Sequence, residues 1–207
     1  MSGKVNYQKE LERVIEGLTG RPTLLLHSCC GPCSSYVLEY LADYFKVTVF
    51  YYNPSIYPTE EYEHRKAVQQ DLIREMNEQG HDISFVDEVP YRHEDFLTLV
   101  RGHEEDREGG DRCHLCYEQR LLAAGQYAKA HGFDWFCTTL TVSPYKNAEV
   151  LNEIGLRLSE DLGVPYLLSD FKKRDGYKRS IELSREYGLY RQDYCGCEFS
   201  LRGAAEH

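Results

Sequence analysis

The chain has 207 residues, 42% of them hydrophobic and 28% charged, a length and balance that suit one globular domain with a real core. Its net charge of -10 argues against broad non-specific nucleic-acid affinity, because phosphate binding needs a basic surface. No apolar run reaches membrane-spanning length and Met1 to Gly20 is charged, unlike a signal peptide, so a soluble cytoplasmic protein with no membrane partner is expected.

Leu11, Val14, Ile15 and Leu18 fall at helical spacing and predict a leading amphipathic helix within residues 1–20. Thr23 to Leu26 reads as a buried strand. His27-Ser28-Cys29-Cys30-Gly31-Pro32-Cys33-Ser34-Ser35 follows as a tight turn, with Ser34 or Ser35 as the expected cap of the next helix. In α/β proteins this strand-to-helix turn lies on the sheet edge where ligands bind. Here it carries three thiols, which a helix N-terminus biases toward the thiolate form that binds metal.

Lys46 to Tyr52 is β-branched and aromatic, a second strand, and the two prolines of Asn53 to Pro58 forbid helix after it. A helix is expected from Thr59 to Gln79, a third strand from Asp82 to Val86 and a short helix near Phe96 to Val100. The acidic, glycine-punctuated stretch His103 to Gly110 then delivers Cys113 and Cys116 to the start of a helix running to about Ala130. Phe133 to Thr139 is a fourth strand, followed by a turn at Ser143 to Asn147 and a helix to Leu162. Pro165 to Leu168 is read as a fifth strand and Tyr177 to Tyr187 as the last helix.

Strand and helix alternate, so the expected fold is a single α/β domain over 1–207 with a mostly parallel five-stranded sheet flanked by helices. Residues 188–207 form a C-terminal cysteine loop and tail. All three cysteine-bearing pieces then meet at one edge of the sheet.

Seven of the eight cysteines lie in three compact clusters: Cys29, Cys30 and Cys33; Cys113 and Cys116; Cys195 and Cys197. Packing does not explain such a set in an intracellular chain; metal or redox chemistry does. Cys137, inside an apolar strand beside Trp135 and Phe136, reads as structural. One tetrahedral zinc takes four thiolates and leaves three over. Two sites at one sheet edge favour an iron–sulfur cluster with a second, open metal position. The spacing of Cys29, Cys30 and Cys33 does not fit the radical-SAM pattern, and a thioredoxin-like pair explains only Cys113 and Cys116.

Several motifs stand in one order: His27-x-Cys29-Cys30-x-Pro32, Tyr52-Asn53-Pro54-x-Ile56-Tyr57-Pro58 and Arg112-Cys113-x-x-Cys116-Tyr117. Thr138-Thr139-Leu140 with Ser143-Pro144-Tyr145-Lys146-Asn147, Asp170-Phe171, and Tyr190-Arg191-Gln192-x-Tyr194-Cys195-Gly196-Cys197 complete the set. Together, over essentially residues 20 to 200, they resemble the epoxyqueuosine reductase family QueH. The resemblance implies a Rossmann-like, nucleotide-hydrolase-like fold carrying a [4Fe-4S] cluster beside a mononuclear iron. It matches Cys29, Cys30, Cys113 and Cys116 to the cluster, and Cys195 and Cys197, with Cys33 as a third, to the separate iron. Some family members carry aspartate at the position of Cys33.

The implied reaction removes the epoxide oxygen of epoxyqueuosine at the tRNA wobble position, taking two electrons from an electron donor and two protons. His27, His114, Asp193 and Tyr194 lie near thiols in sequence and are the candidate proton donors. Lys172, Lys173, Arg174, Lys178 and Arg179 put five basic residues into nine, a candidate RNA phosphate contact or a solvated charged face. Tyr51, Tyr52 and Tyr57 are candidates to stack on a splayed base, or else pack between helix and sheet. Two other readings stay open: a different iron–sulfur tRNA-modifying enzyme of the same fold, and a zinc-binding module.

Overall fold

The computed structural model describes residues 5–86 and 88–204; residues 1–4, 87 and 205–207 of the expected 1–207 domain lie outside it. Four strands form one parallel sheet: β1 Thr23–His27, β2 Lys46–Phe50, β3 Ile83–Val86 and β4 Trp135–Thr138. Their spatial order is β3-β2-β1-β4. The chain steps outward from β1 through β2 to β3, then returns to the other side of β1. The order therefore reverses between β1 and β4, and the crevice beyond their C-terminal ends is where this kind of sheet binds ligands. His27 and Thr138, the last residues of the two strands, are register partners there.

Alternation along β1 sends its side chains to opposite layers. Leu24 and Leu26 join a core with Leu11 of α1 (Tyr7–Glu16), Val37 and Leu41 of α2 (Gly31–Leu41), and Leu72 and Met76 of α3 (Thr59–Glu78). Leu25 faces the other layer, with Leu121 and Ala124 of α5 (Asp111–His131) and Leu151 and Leu158 of α6 (Ala148–Leu162). The short α4 (His93–Leu99) lies between β3 and α5 in sequence. The last two helices are α7 (Gly176–Glu186), which packs on α2, and α8 (Glu198–Ala204). Gly176 opens α7 where only hydrogen fits, since a Cβ there would lie 2.0 Å from the Phe171 carbonyl oxygen.

Three expectations change. The fifth strand is absent: Tyr166 makes one parallel bridge to Phe136 and no ladder. Pro165 has no N–H to donate, and Asn152 takes up both backbone groups of Ser169 (Nδ2 to O at 2.8 Å, N to Oδ1 at 3.0 Å), turning the chain away from the sheet. Helix α2 begins at Gly31 with an extended Cys30 as its N-cap, so Ser34 and Ser35 lie inside the first turns instead of capping them. The C-terminal tail is partly helical, as α8.

Candidate metal centre

The turn after β1 is set by buried polar contacts from three directions. Ser28 Oγ and Ser34 Oγ both donate to Gln69 Oε1 of α3, at 2.7 and 2.6 Å. Asn53 Nδ2 donates to the Ser28 carbonyl at 2.8 Å. Below the turn, Thr138 Oγ1 accepts from Leu140 N and places its own hydroxyl 2.9 Å from His27 Nδ1, which leaves His27 Nε2–H to donate to the Tyr52 carbonyl at 3.1 Å. Burial, helped by the Arg120 charge, pushes the His27 pKa down to about 4. This histidine is fully buried, has both ring nitrogens engaged and does not line the cavity described below.

Held in this way, the sulfurs of Cys29, Cys30 and Cys33 all lie within 4.8 Å of one another, with Cys29 Sγ and Cys30 Sγ 3.8 Å apart. Hydrogen bonds from the other two thiols, aided by the Lys146 and Arg120 charges, pull the Cys29 pKa well down. The hydrogen bond to Cys29 pushes Cys30 up to about 12, and those to Cys29 and Cys30 raise Cys33 well above its ordinary value, because like charges this close do not ionise together. A cation among them removes that conflict. The donor set therefore fits a metal.

The other four thiols lie around this turn, with Cys113 sharing an apolar cluster with Cys29 and Cys30. Cys113 and Cys116 sit in the first turns of α5, and Cys116 shares a small apolar cluster with Cys197, Phe96 and Val100. Burial raises the Cys113 pKa, and Cys195, Cys116 and Cys197 add to the rise; burial and then Cys195 raise Cys197 likewise. The Gly109 N–H donates to Cys113 Sγ at 3.2 Å. Two cations face these sulfurs. Arg120 Nη2 donates to Cys116 Sγ at 3.0 Å, and Lys146 Nζ donates to Cys195 Sγ at 3.3 Å. Burial lowers the pKa of both cations, but the nearby cysteine sulfurs more than offset it and both are raised. All eight cysteines are free thiols.

The Cys195-Gly196-Cys197 loop is fastened to the proline loop after β2. Tyr57 N donates to the Gly196 carbonyl at 2.8 Å, and Tyr194 hydroxyl donates to the Tyr57 carbonyl at 2.6 Å. Gly196 has φ of +125°, a conformation that side chains rarely adopt. Between this loop, the β1 turn, the β4 turn and α7 lies a cavity of about 520 Å³, onto which Cys29, Cys33 and Cys195 open.

A model of the family described as epoxyqueuosine reductase QueH matches residues 24–203. Among curated relatives, the QueH of Streptococcus pyogenes is 41% identical over 203 residues, covering 96% of this chain and 79% of that one. That of Staphylococcus aureus is 41% identical over 203 residues (95% and 84%), and that of Thermotoga maritima 33% over 179 residues (86% and 90%). The chain belongs to the QueH family.

In this QueH chain the expected site residues divide unevenly. Asp193 and Tyr194 line the cavity, whereas His114 stands on α5 with Nδ1 3.8 Å from Asp111 Oδ1 and does not line it. Cys137 is fully buried and donates to the Leu167 carbonyl, in keeping with a structural role. Tyr51 is core, its hydroxyl on the Tyr62 carbonyl. Tyr52 is half-buried against Phe50, and Tyr57 is exposed with its ring near His93.

The basic run is largely matched by carboxylates. Lys172 pairs with Asp170 (2.9 Å), Arg174 with Glu12 (3.0 Å) and Arg179 with Glu39 (2.7 Å) and Glu186 (2.8 Å). Among the described residues only Lys173 and Lys178 of the five show no such pair.

Gln69 and Arg120 are not marked by any sequence motif above, and Lys146 only as part of the turn Ser143 to Asn147. Arg120 was within reach of a sequence reading, since four residues beyond Cys116 is one helical turn. Gln69, 41 residues from Ser28, carried no local signal.

Proposed function

We propose that this chain is an epoxyqueuosine reductase, removing the epoxide oxygen of epoxyqueuosine in tRNA as water and leaving an alkene. The observation that carries the reading, beside family membership, is the three-thiol turn opening onto a nucleoside-sized cavity. Seven thiols support two metal groups. Cys29, Cys30 and Cys33 suit an open three-thiolate iron site, and Cys113, Cys116, Cys195 and Cys197 suit a [4Fe-4S] cluster. This division exchanges Cys29 and Cys30 for Cys195 and Cys197 relative to the one the resemblance implies. When bound, the cluster supplies electrons and the open iron a Lewis acid for the epoxide oxygen.

The protein's own groups do the rest. Arg120 and Lys146 offset the negative charge of thiolates drawn out of water, a cost no apolar pocket would bear. Lys146 also lines the cavity and holds a proton at Nζ, and Asp193, another lining residue, is exposed to solvent. Tyr194 keeps its hydroxyl proton on the Tyr57 carbonyl and shapes the wall. Pro32, Leu140 and Val142 give the cavity an apolar side that limits water.

Anaerobic purification with iron and sulfide quantification, followed by reduction of epoxide-bearing tRNA with dithionite as electron source, tests the proposal. Loss of one oxygen from the modified nucleoside by mass spectrometry is the expected result. Stoichiometric zinc without sulfide, and an intact epoxide, would overturn it in favour of a zinc-binding module.

A further inference from the structure

The basic run at 172–179 is largely ion-paired, whereas the cavity mouth carries an exposed aromatic ring and a guanidinium with no carboxylate partner among the described residues. Tyr145 is 79% exposed, the most exposed of the large hydrophobic side chains among the described residues, and lines the cavity. Its backbone is held, with Tyr145 N donating to Ser143 Oγ at 3.3 Å and Lys146 N to the Ser143 carbonyl at 3.3 Å. The next residue, Asn147, caps α6, so the ring is presented from a fixed turn. Arg191 also lines the cavity and is exposed. Its Nη1 donates to Ser184 Oγ at 3.0 Å, and among the described residues it has no carboxylate partner.

A cavity of about 520 Å³ lies within the range of small-molecule pockets and holds one nucleoside, so the flanking nucleotides of an RNA substrate must rest on its lip. An exposed tyrosine face there offers a stacking platform for an unpaired base, and an uncompensated guanidinium suits a backbone phosphate. We infer that the mouth of the thiol cavity is the RNA-docking surface, with Tyr145 stacking the base next to the modified nucleoside and Arg191 contacting a neighbouring phosphate. The inference rests on the reduction of a tRNA-borne epoxide proposed above and goes beyond it by naming where the RNA lies. It also explains how a chain of net charge -10 approaches a polyanion: through stacking and few cations, not a basic face.

The test compares wild type, Tyr145→Ala, Tyr145→Phe and Arg191→Gln, each iron-loaded, for binding of epoxide-bearing tRNA and of the same tRNA with unmodified guanine at that position. Tyr145→Ala should weaken both tRNAs by the same factor, about tenfold or more. Tyr145→Phe should stay within about twofold of wild type because the ring remains. Arg191→Gln should reduce the salt dependence of binding by about one phosphate contact. Iron and sulfide content should not change in any variant. Unaltered tRNA affinity in Tyr145→Ala and Arg191→Gln would overturn the inference, as would a Tyr145→Ala defect confined to epoxide-bearing tRNA. The function fails separately, by an intact epoxide in the iron-loaded wild type supplied with reductant.

Discussion

Arg65 Nη1 donates to the Cys195 carbonyl at 3.2 Å, tying a buried side chain of α3 to a loop 130 residues away. The same guanidinium pairs through Nε with Glu61 at 2.6 Å and lies 5.0 Å from the centre of the Tyr194 ring. Gly196 leaves it room, since a Cβ there would meet Nη1 at 3.0 Å. One side chain thus positions two successive residues of the cysteine loop.

Arg65→Leu should therefore cost about 2–4 kcal/mol in stability, because it removes one half of a largely buried ion pair. It should also lower bound iron while leaving the turn after β1 intact. Denaturant unfolding alongside iron analysis checks both, and unchanged iron content would separate Arg65 from the metal centre.

The grouping of thiols predicts different losses from different cysteines. Cys33→Ala should remove about one iron and keep the sulfide, whereas Cys113→Ala should remove the sulfide and the visible absorption together. Cys197→Ala should behave like Cys113→Ala in this grouping and like Cys33→Ala in the division the resemblance implies. Iron and sulfide counts on these variants decide between the two. Cys137→Ala should leave both counts alone, since that sulfur faces the core.

Gln192 Nε2 donates to Cys30 Sγ at 3.1 Å, and its Oε1 is buried with no hydrogen-bond partner. A metal-bound thiolate only accepts, which keeps the amide nitrogen on the sulfur. Hydrogen bonds to ligand sulfur disperse its charge and favour the reduced metal. Gln192→Leu should accordingly shift the midpoint potential of the metal bound by Cys30 to a more negative value. A potentiometric titration that finds no shift would show that this amide leaves the metal's potential alone.

Arg174→Gln with Arg179→Gln should lower the melting temperature slightly, since their ion pairs link the turn before α7 to Glu12 of α1 and α7 itself to Glu39 of α2. Both groups are solvent-exposed pairs of small worth. Affinity for tRNA should stay within about twofold, measured by filter binding. A large loss of affinity would return the RNA surface to α7.

The local pattern of the chain was enough to mark the strand, thiol turn and helix at residues 23–41, the paired cysteines at the start of α5 and the alternation that makes a parallel sheet. Each is local: apolar runs, helical periodicity and short spacings are written in neighbouring residues. What tertiary structure decided is everything that depends on distant partners. Pairing of Pro165 to Leu168 with β4 stopped at a single bridge, Tyr166 to Phe136, because a buried asparagine on α6 holds the backbone of Ser169 just beyond it. The basic run at 172–179 became a set of ion pairs because α1 and α2 bring carboxylates to it. His27 lies buried between the Thr138 hydroxyl and the Tyr52 carbonyl, neither of which its neighbours in sequence announce. Arg65, Gln69 and Gln192 took hold of the cysteine loops across tens of residues or more. Hydrogen-bond competition, charge pairing and burial act through space, and only the folded chain sets those distances.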